Sequence, residues 1–295
     1  MTLKTLALNA EGAFGNPDHW QDAVAFIEAQ NPDIAFLGES HWEKPERSRF
    51  GGGIARNEHI VHEAVLALIA LGYHVVRSSD DDASNRPDRT GFIGIVRREL
   101  GRGAIIRMGT RNGYIAEVTD PGTGQTARIA GQHYDDKDNV TRHGHINDLP
   151  DVDGLIGDLN NPHGEDDVPR MLRLWPFRFA ASLIPTWEYD FTHARHTPWQ
   201  WIKTRLHLGK RVVYMATGEI MTALAKHGLR DADPQHQPTM SKKPQLQLDH
   251  IMVGDRVTVR DFTVHHDPGY PTDHYPISAI LAIEEAGQAP AKQHP

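Results

Sequence analysis

What most constrains this chain is a succession of short apolar segments, each closed by a turn former or a single polar residue. They read as strands over residues 5–9, 34–38, 74–76, 92–96, 103–107, 114–118, 128–133, 154–157, 248–253 and 277–283. Helical periodicity fills some of the gaps. Residues 18–30 follow an Asn-Pro pair and carry Val24, Ala25, Ile27 and Ala29; residues 57–71 stop at Gly72; residues 219–227 stop at Gly228. Strand and helix alternate in the first third, whereas the middle carries strands in succession. That mixture predicts an α/β fold in which two mixed sheets pack together with helices outside. The polar zone 230–244 contains three prolines but reads as a long loop, because strand chemistry resumes at Leu248.

Composition narrows the chemistry. With 295 residues, 39% of them hydrophobic, the chain can bury a full core. We expect one compact, enzyme-sized domain over residues 1–283, with a fraying tail over 284–295. A net charge of −8 argues against a protein that coats nucleic acid, since such affinity comes mainly from Lys and Arg. There is no cysteine, which removes disulfides, zinc–thiolate sites and thiol nucleophiles together, so any metal must be held by oxygen or imidazole. No apolar run approaches the ~20 residues of a membrane span. A strand-like segment begins almost at once instead of a charged-then-apolar leader, which places the expectation in the cytoplasm.

The informative residues are the polar ones that end these strands. Asn9 closes the first and Glu39 the second; His133 ends the strand over 128–133; Asp158 and Asn160 follow the strand over 154–157; Asp249 opens Leu-Asp-His-Ile-Met-Val; Asp273 and His274 precede the last strand. Singly, such residues are usually turn formers. Together they supply what hydrolysis of a phosphoester with a hard cation requires. Mg²⁺ or Mn²⁺ takes carboxylate oxygens and keeps waters, a task for Glu39 and Asp273 with Asn9 beside them. Asp158 can orient and deprotonate an attacking water, while Asn9 and Asn160 give hydrogen bonds without adding negative charge. Protonated His274, oriented by Asp249, can stabilise charge on the phosphoryl group, and His133 can protonate or stabilise the leaving oxygen.

In order and spacing these residues resemble the endonuclease/exonuclease/phosphatase superfamily, the deoxyribonuclease-I-like hydrolases. The matching stretches are Leu8-Asn9, Pro32-Asp33-Ile34 with Glu39, Gln132-His133, Gly157-Asp158-Leu159-Asn160, Asp249-His250-Ile251 and Thr272-Asp273-His274, spread over residues 5 to 281. The resemblance implies a four-layered α/β sandwich with the site at one edge of the two central sheets. The chain departs from the family pattern in three places. Leu159 and Thr272 replace the usual Phe and Ser. The acidic residue expected just before the 92–96 strand is absent, with Asp88 the nearest substitute. The interval over about 161–228 is long, an insertion where substrate choice is expected to reside.

That insertion holds Trp175, Trp187, Trp199 and Trp201, which either stack bases, line a groove for a lipid or aromatic leaving group, or pack the insertion onto the core, the last being what aromatics most often do. From Arg195 to Arg211 there are five basic residues and no acidic one, with Arg195, Lys203 and Arg205 the candidate substrate contacts. A second basic stretch runs from Arg86 to Arg111. Both form a phosphate-attracting surface if they converge on the site, and otherwise are solvated faces. The His143-x-His145 pair reads as a surface loop rather than a metal site, and Gly51-Gly52-Gly53 as a flexible loop lacking the Lys-Ser/Thr of a P-loop. The functional expectation is a nuclease or phosphodiesterase with nucleic acid as substrate. The alternatives are a hydrolase of phospholipid headgroups or another small phosphoester, and a non-catalytic module on the same scaffold.

Overall fold

The computed structural model describes residues 1–42, 46–47, 53–54, 58–78, 90–108, 111–134, 139–161, 219–241 and 245–285. Among them, one six-stranded sheet has the order β13 (Val257–Val264), β14 (Ile277–Ile283), β1 (Thr2–Asn9), β2 (Ile34–Trp42), β6 (Thr90–Arg97), β5 (Tyr73–Arg77). The second has the order β11 (Arg230–Asp231), β12 (Asp249–Val253), β10 (Gly154–Asp158), β9 (Thr126–Gly131), β8 (Arg111–Thr119), β7 (Gly101–Met108). A short ribbon pairs β3 (Glu46–Arg47) with β4 (Gly53–Ile54). Each sheet is mixed: β1 runs parallel to β2 but antiparallel to β14, and β10 parallel to β9 but antiparallel to β12.

The apolar runs are continuous because both faces of the central strands are buried. Side chains alternate across a strand, so Leu3 and Ala7 of β1 and Ile34 and Phe36 of β2 meet Tyr114, Ile129, Ile156, Ile251 and Val253 of the other sheet. The intervening Leu6, Leu8, Ala35 and Leu37 face α1 (Trp20–Gln30) and α2 (Glu58–Ala70) through Ala23, Ile27, Ala64 and Leu68. On the far side, Ala130, Leu155 and Met252 pack on Ile146 of α3 (Asn139–Asn147) and on Ile220 and Leu224 of α4 (Glu219–Lys226). Helix, sheet, sheet, helix is the four-layered α/β sandwich that the resemblance implies.

Several expectations are corrected. Residues 257–264 form an edge strand that the sequence reading passed over, with a bulge between Val259 and Asp261. His143 and His145 belong to a helix rather than a surface loop, and His145 is fully buried, its ring 5.1 Å edge-on from Tyr134. Gly53 lies in β4. The zone 230–244 begins with a strand, since Arg230 and Asp231 pair with β12. Arg97 does not approach the strand ends where the polar residues gather; it pairs with Asp33 at the start of β2, the opposite end from Glu39. No helix among the described residues is long and apolar enough to cross a membrane.

Candidate active site

Strand parity brings the polar residues together. Asn9 continues the inward series Leu3, Ala7; Asp158 continues Gly154, Ile156; Asp249 precedes Ile251, Val253. Asp158 and Asp249 are register partners across the antiparallel β10–β12 pair, and Asn9 faces Gly38 across the parallel β1–β2 pair. All three side chains therefore emerge in the seam between the sheets, at the end where the apolar filling stops. Hydrogen bonds between described residues cross that seam. Asn9 Nδ2 donates to Asp158 Oδ2 at 3.1 Å, and His274 Nδ1 donates to Asp249 Oδ2 at 2.7 Å.

Backbone irregularities position the rest. Glu39 does not close β2. The strand continues to Trp42, and its pairing with β6 shifts register between Leu37 and His41, with Glu39 at φ 44°. A bulge there re-aims the carboxylate away from simple alternation. His133 lies beyond the end of β9, yet the chain stays tied to β10 through Gln132 N–H to the Ile156 carbonyl and Tyr134 N–H to the Asp158 carbonyl. Gly157 adopts φ 142°, and a Cβ there would sit 2.1 Å from the Gln132 carbonyl oxygen, so only glycine admits this approach. Asn160, at φ 48°, is held by its own N–H to Asp158 Oδ1 at 2.8 Å and by Nδ2 to the Tyr134 carbonyl at 3.0 Å.

The 272–274 segment is latched from three directions. Thr272 Oγ1 donates to the Asn9 carbonyl, Asp273 N–H to Glu11 Oε2, and Ser241 N–H to the Asp273 carbonyl. Glu11 was missed in the sequence reading. Its signal is the Asn9-Ala-Glu-Gly turn, in which Glu11 N–H donates to Asn9 Oδ1 and Glu11 itself is left-handed.

The electrostatics follow from burial. Asp158 is pushed above the ordinary carboxylic-acid range, chiefly by desolvation and then by the neighbouring Asp249, against the pull of His274, His133 and the Asn160 N–H. For His274, burial favours the neutral ring, but Asp249, with Asp158 and Asp273, outweighs it and raises the imidazole well above its usual value. The surrounding carboxylates thus favour the protonated ring of His274. His133 Nε2 lies 3.0 Å from Asn160 Nδ2 and 3.7 Å from both Glu39 Oε1 and Asp158 Oδ2. Because Asn160 Nδ2 also donates to a carbonyl, its amide is oriented, and His133 Nε2 is placed as an acceptor.

The donor set suits a hard cation. Four carboxylates, Glu39, Asp158, Asp249 and Asp273, gather around two imidazoles in a chain without cysteine, and Asp249 Oδ1 is a buried acceptor without a hydrogen-bond partner. Ligand atoms of Asp158, Asp249 and His274 lie within 4.8 Å of one another. His274 Nδ1, however, already gives its proton to Asp249. Glu39 and Asp273 are the more open carboxylates, at 21% and 23% side-chain exposure against 2% for Asp158 and 1% for Asp249. Arg195, Lys203 and Arg205, the four insertion tryptophans and Asp88 all lie outside the described residues.

No protein-family profile matches the sequence, and no curated protein matches it. Solved structures do. An endonuclease/exonuclease/phosphatase from Beutenbergia cavernae superposes over 96% of this chain and 72% of its own, with TM-score 0.59 and 17% identity. The human Nocturnin catalytic domain with bound sulfate covers 96% and 95%, with TM-score 0.55 and 14% identity. A Bacteroides thetaiotaomicron mannosyl-6-phosphatase covers 95% and 100%, with TM-score 0.52 and 14% identity. The paired six-stranded sheets, their flanking helices and these superpositions give this chain the endonuclease/exonuclease/phosphatase fold, the deoxyribonuclease-I-like α/β sandwich.

Proposed function

We propose that this protein is a divalent-metal-dependent phosphoester hydrolase, and within that class a nuclease or related phosphodiesterase. The observation that carries the reading is the seam itself. A buried carboxylate with a raised pKa, an imidazole hydrogen-bonded to a second carboxylate and two amides converge there, with the more open Glu39 and Asp273 at 3.7 and 3.9 Å from the two imidazoles.

Each residue then has a task that its surroundings fit. Asp158, held by the Asn9 amide and the Asn160 N–H, orients a water and accepts its proton; its raised pKa brings it closer to that role than an exposed Asp. His274, cationic and fixed by Asp249, offers Nε2–H to the oxygens of the phosphoryl group as charge builds there. Asn160 steadies His133, whose Nε2 lies 3.7 Å from both Glu39 and Asp158; protonated from solvent, it gives that proton to the leaving oxygen and returns to the neutral ring that accepts from the Asn160 amide. Glu39 and Asp273, with Asn9 near them, are the residues that would hold Mg²⁺ or Mn²⁺. Such an ion, when bound, supplies charge neutralisation to the phosphoryl oxygens.

Arg107, exposed on β7, lies toward the seam end of the second sheet, because β7 pairs Arg107 with Asn112 where β8 runs toward Tyr114 and Gly131. A cation there favours a polyanionic substrate. The net charge of −8 favours the second reading, a small phosphoester or a phospholipid headgroup. The deciding assay is hydrolysis of bis-p-nitrophenyl phosphate, single- and double-stranded DNA, RNA and sphingomyelin with Mg²⁺, Mn²⁺ or EDTA. Metal-dependent turnover that falls by about 10³-fold or more in Asp158→Ala and His274→Ala is expected. Turnover confined to lipid or small esters selects the second reading, and no metal-dependent turnover on any substrate ends the hydrolase proposal.

A further inference from the structure

Behind the seam, on the helix-facing side of β12, lies a second buried array. Parity sends His250 away from the site that Asp249 faces, and its ring is completely buried. Nδ1 lies 2.7 Å from Asp231 Oδ2, and Nε2 lies 2.9 Å from the Asn161 carbonyl oxygen. Both partners are acceptors only, so each ring nitrogen must carry a hydrogen. Asp231 is fixed in turn. Its Oδ2 accepts from Gln247 Nε2 at 3.1 Å and its Oδ1 from the Asp233 N–H at 2.9 Å.

From these contacts we infer that Asp231 and His250 are positioning residues for Asp158 and Asn160, clamping the turn that carries them from the face opposite the reacting atoms. The inference rests on the hydrolase reading for its effect on rate, though not for its effect on geometry. Asn160 is a non-glycine residue in the left-handed region, a conformation that persists only where its flanks are over-determined. Those flanks are pinned to the start of β12. Leu159 N–H donates to the Leu248 carbonyl at 3.0 Å, and the Asn161 carbonyl accepts from His250. Between the two pins, Asn160 N–H reaches Asp158 Oδ1 and its amide reaches His133 and the Tyr134 carbonyl. Releasing the Asn161 pin frees the turn to relax, and Asp158 and His133 lose their common brace. The clamp also links the turn at the near end of the 162–218 segment to Asp231, which follows α4 at its far end.

The test uses Asp231→Asn, which keeps the shape but cannot hold a doubly protonated ring as well, and His250→Gln as the stronger lesion. In full-length protein with Mg²⁺ and bis-p-nitrophenyl phosphate, kcat is expected to fall about tenfold in Asp231→Asn with KM within about twofold of wild type, the signature of lost alignment rather than lost binding. Hydrogen exchange of the Asn160 amide is expected to accelerate by about tenfold or more, while amides in the centre of β1 and β2 keep their protection. The exchange readout needs no catalysis. Unchanged Asn160 exchange in both variants overturns the clamp even if wild-type protein proves inactive on every ester. Faster exchange with unchanged kcat on an active enzyme overturns the positioning role. Equal loss of protection throughout β1, β2 and the turn in both variants assigns Asp231 and His250 to general stability and overturns it as well.

Discussion

Among individual residues, Glu39 shows most directly how local backbone strain is tied to the placement of a polar side chain. A left-handed, non-glycine conformation costs about 1 kcal/mol or more, and this one places a carboxylate 3.7 Å from His133 Nε2. Glu39→Gly is expected to raise the unfolding free energy by about 0.5–1 kcal/mol, read from the urea midpoint, while raising the Mg²⁺ concentration for half-maximal turnover at least about tenfold. A variant that is less stable, or that keeps its metal requirement, would show that the bulge is not a metal-holding device. Glu39 also marks a limit of the sequence. Its residue type and place after the second strand point to the site, but the strand runs on to Trp42, and nothing in Leu-Gly-Glu-Ser-His announces a reversal of φ. Asn9, Asp158 and Asp249 were legible because they fall on the inward parity of apolar strands. Glu11 was not, because it acts from a turn through a hydrogen bond to the Asp273 N–H.

At the scale of elements, legibility followed burial. β14 is apolar except for Ser278 and its ends are read directly, Ile277–Ile283. β13 was passed over because Val-Thr-Val-Arg-Asp-Phe-Thr-Val at the sheet edge mixes charge into the alternation and carries a bulge. α3 was missed because Gly144 and the β-branched Val140 and Thr141 are poor helix formers; the packing of its Ile146 on Leu155 and Met252 overrides propensity. The turn after β13 carries a pH dependence of its own. His265 packs edge-on to Phe26 and hydrogen-bonds Ser278 Oγ through Nε2, and burial, then Lys4 and His266, hold its pKa below the usual value. The unfolded chain therefore binds the proton first, and stability is lost as pH falls through about 6.5 toward the folded value. His265→Gln is expected to lose less urea resistance than wild type between about pH 7.5 and 5.5. An equal loss would assign the acid sensitivity to other groups.

Over the whole molecule, the site belongs to neither sheet. Glu39, Asn9 and His274 come from one, and Asp158, Asp249 and His133 from the other. The apolar filling between the sheets stops where the Asn9–Asp158 and His274–Asp249 bonds begin, so these polar bridges continue the adhesion that Phe36, Ile156 and Ile251 start. Any compound that grips both banks of this cleft acts as a strap against their parting. By mass action it raises the melting temperature in proportion to how well it fits, roughly 2.7 kcal/mol of added stability at a hundredfold excess over Kd. A thermal-shift screen of nucleotides, sugar phosphates and lipid headgroups with Mg²⁺, run on Asp158→Asn so that nothing is consumed, is expected to rank ligand classes by the heat the fold withstands. A class that shifts Asp158→Asn, and leaves unmoved a variant in which Asn9 and His274 are also replaced, reports occupation of the seam. The fold thus carries its own thermometer for the identity of its substrate.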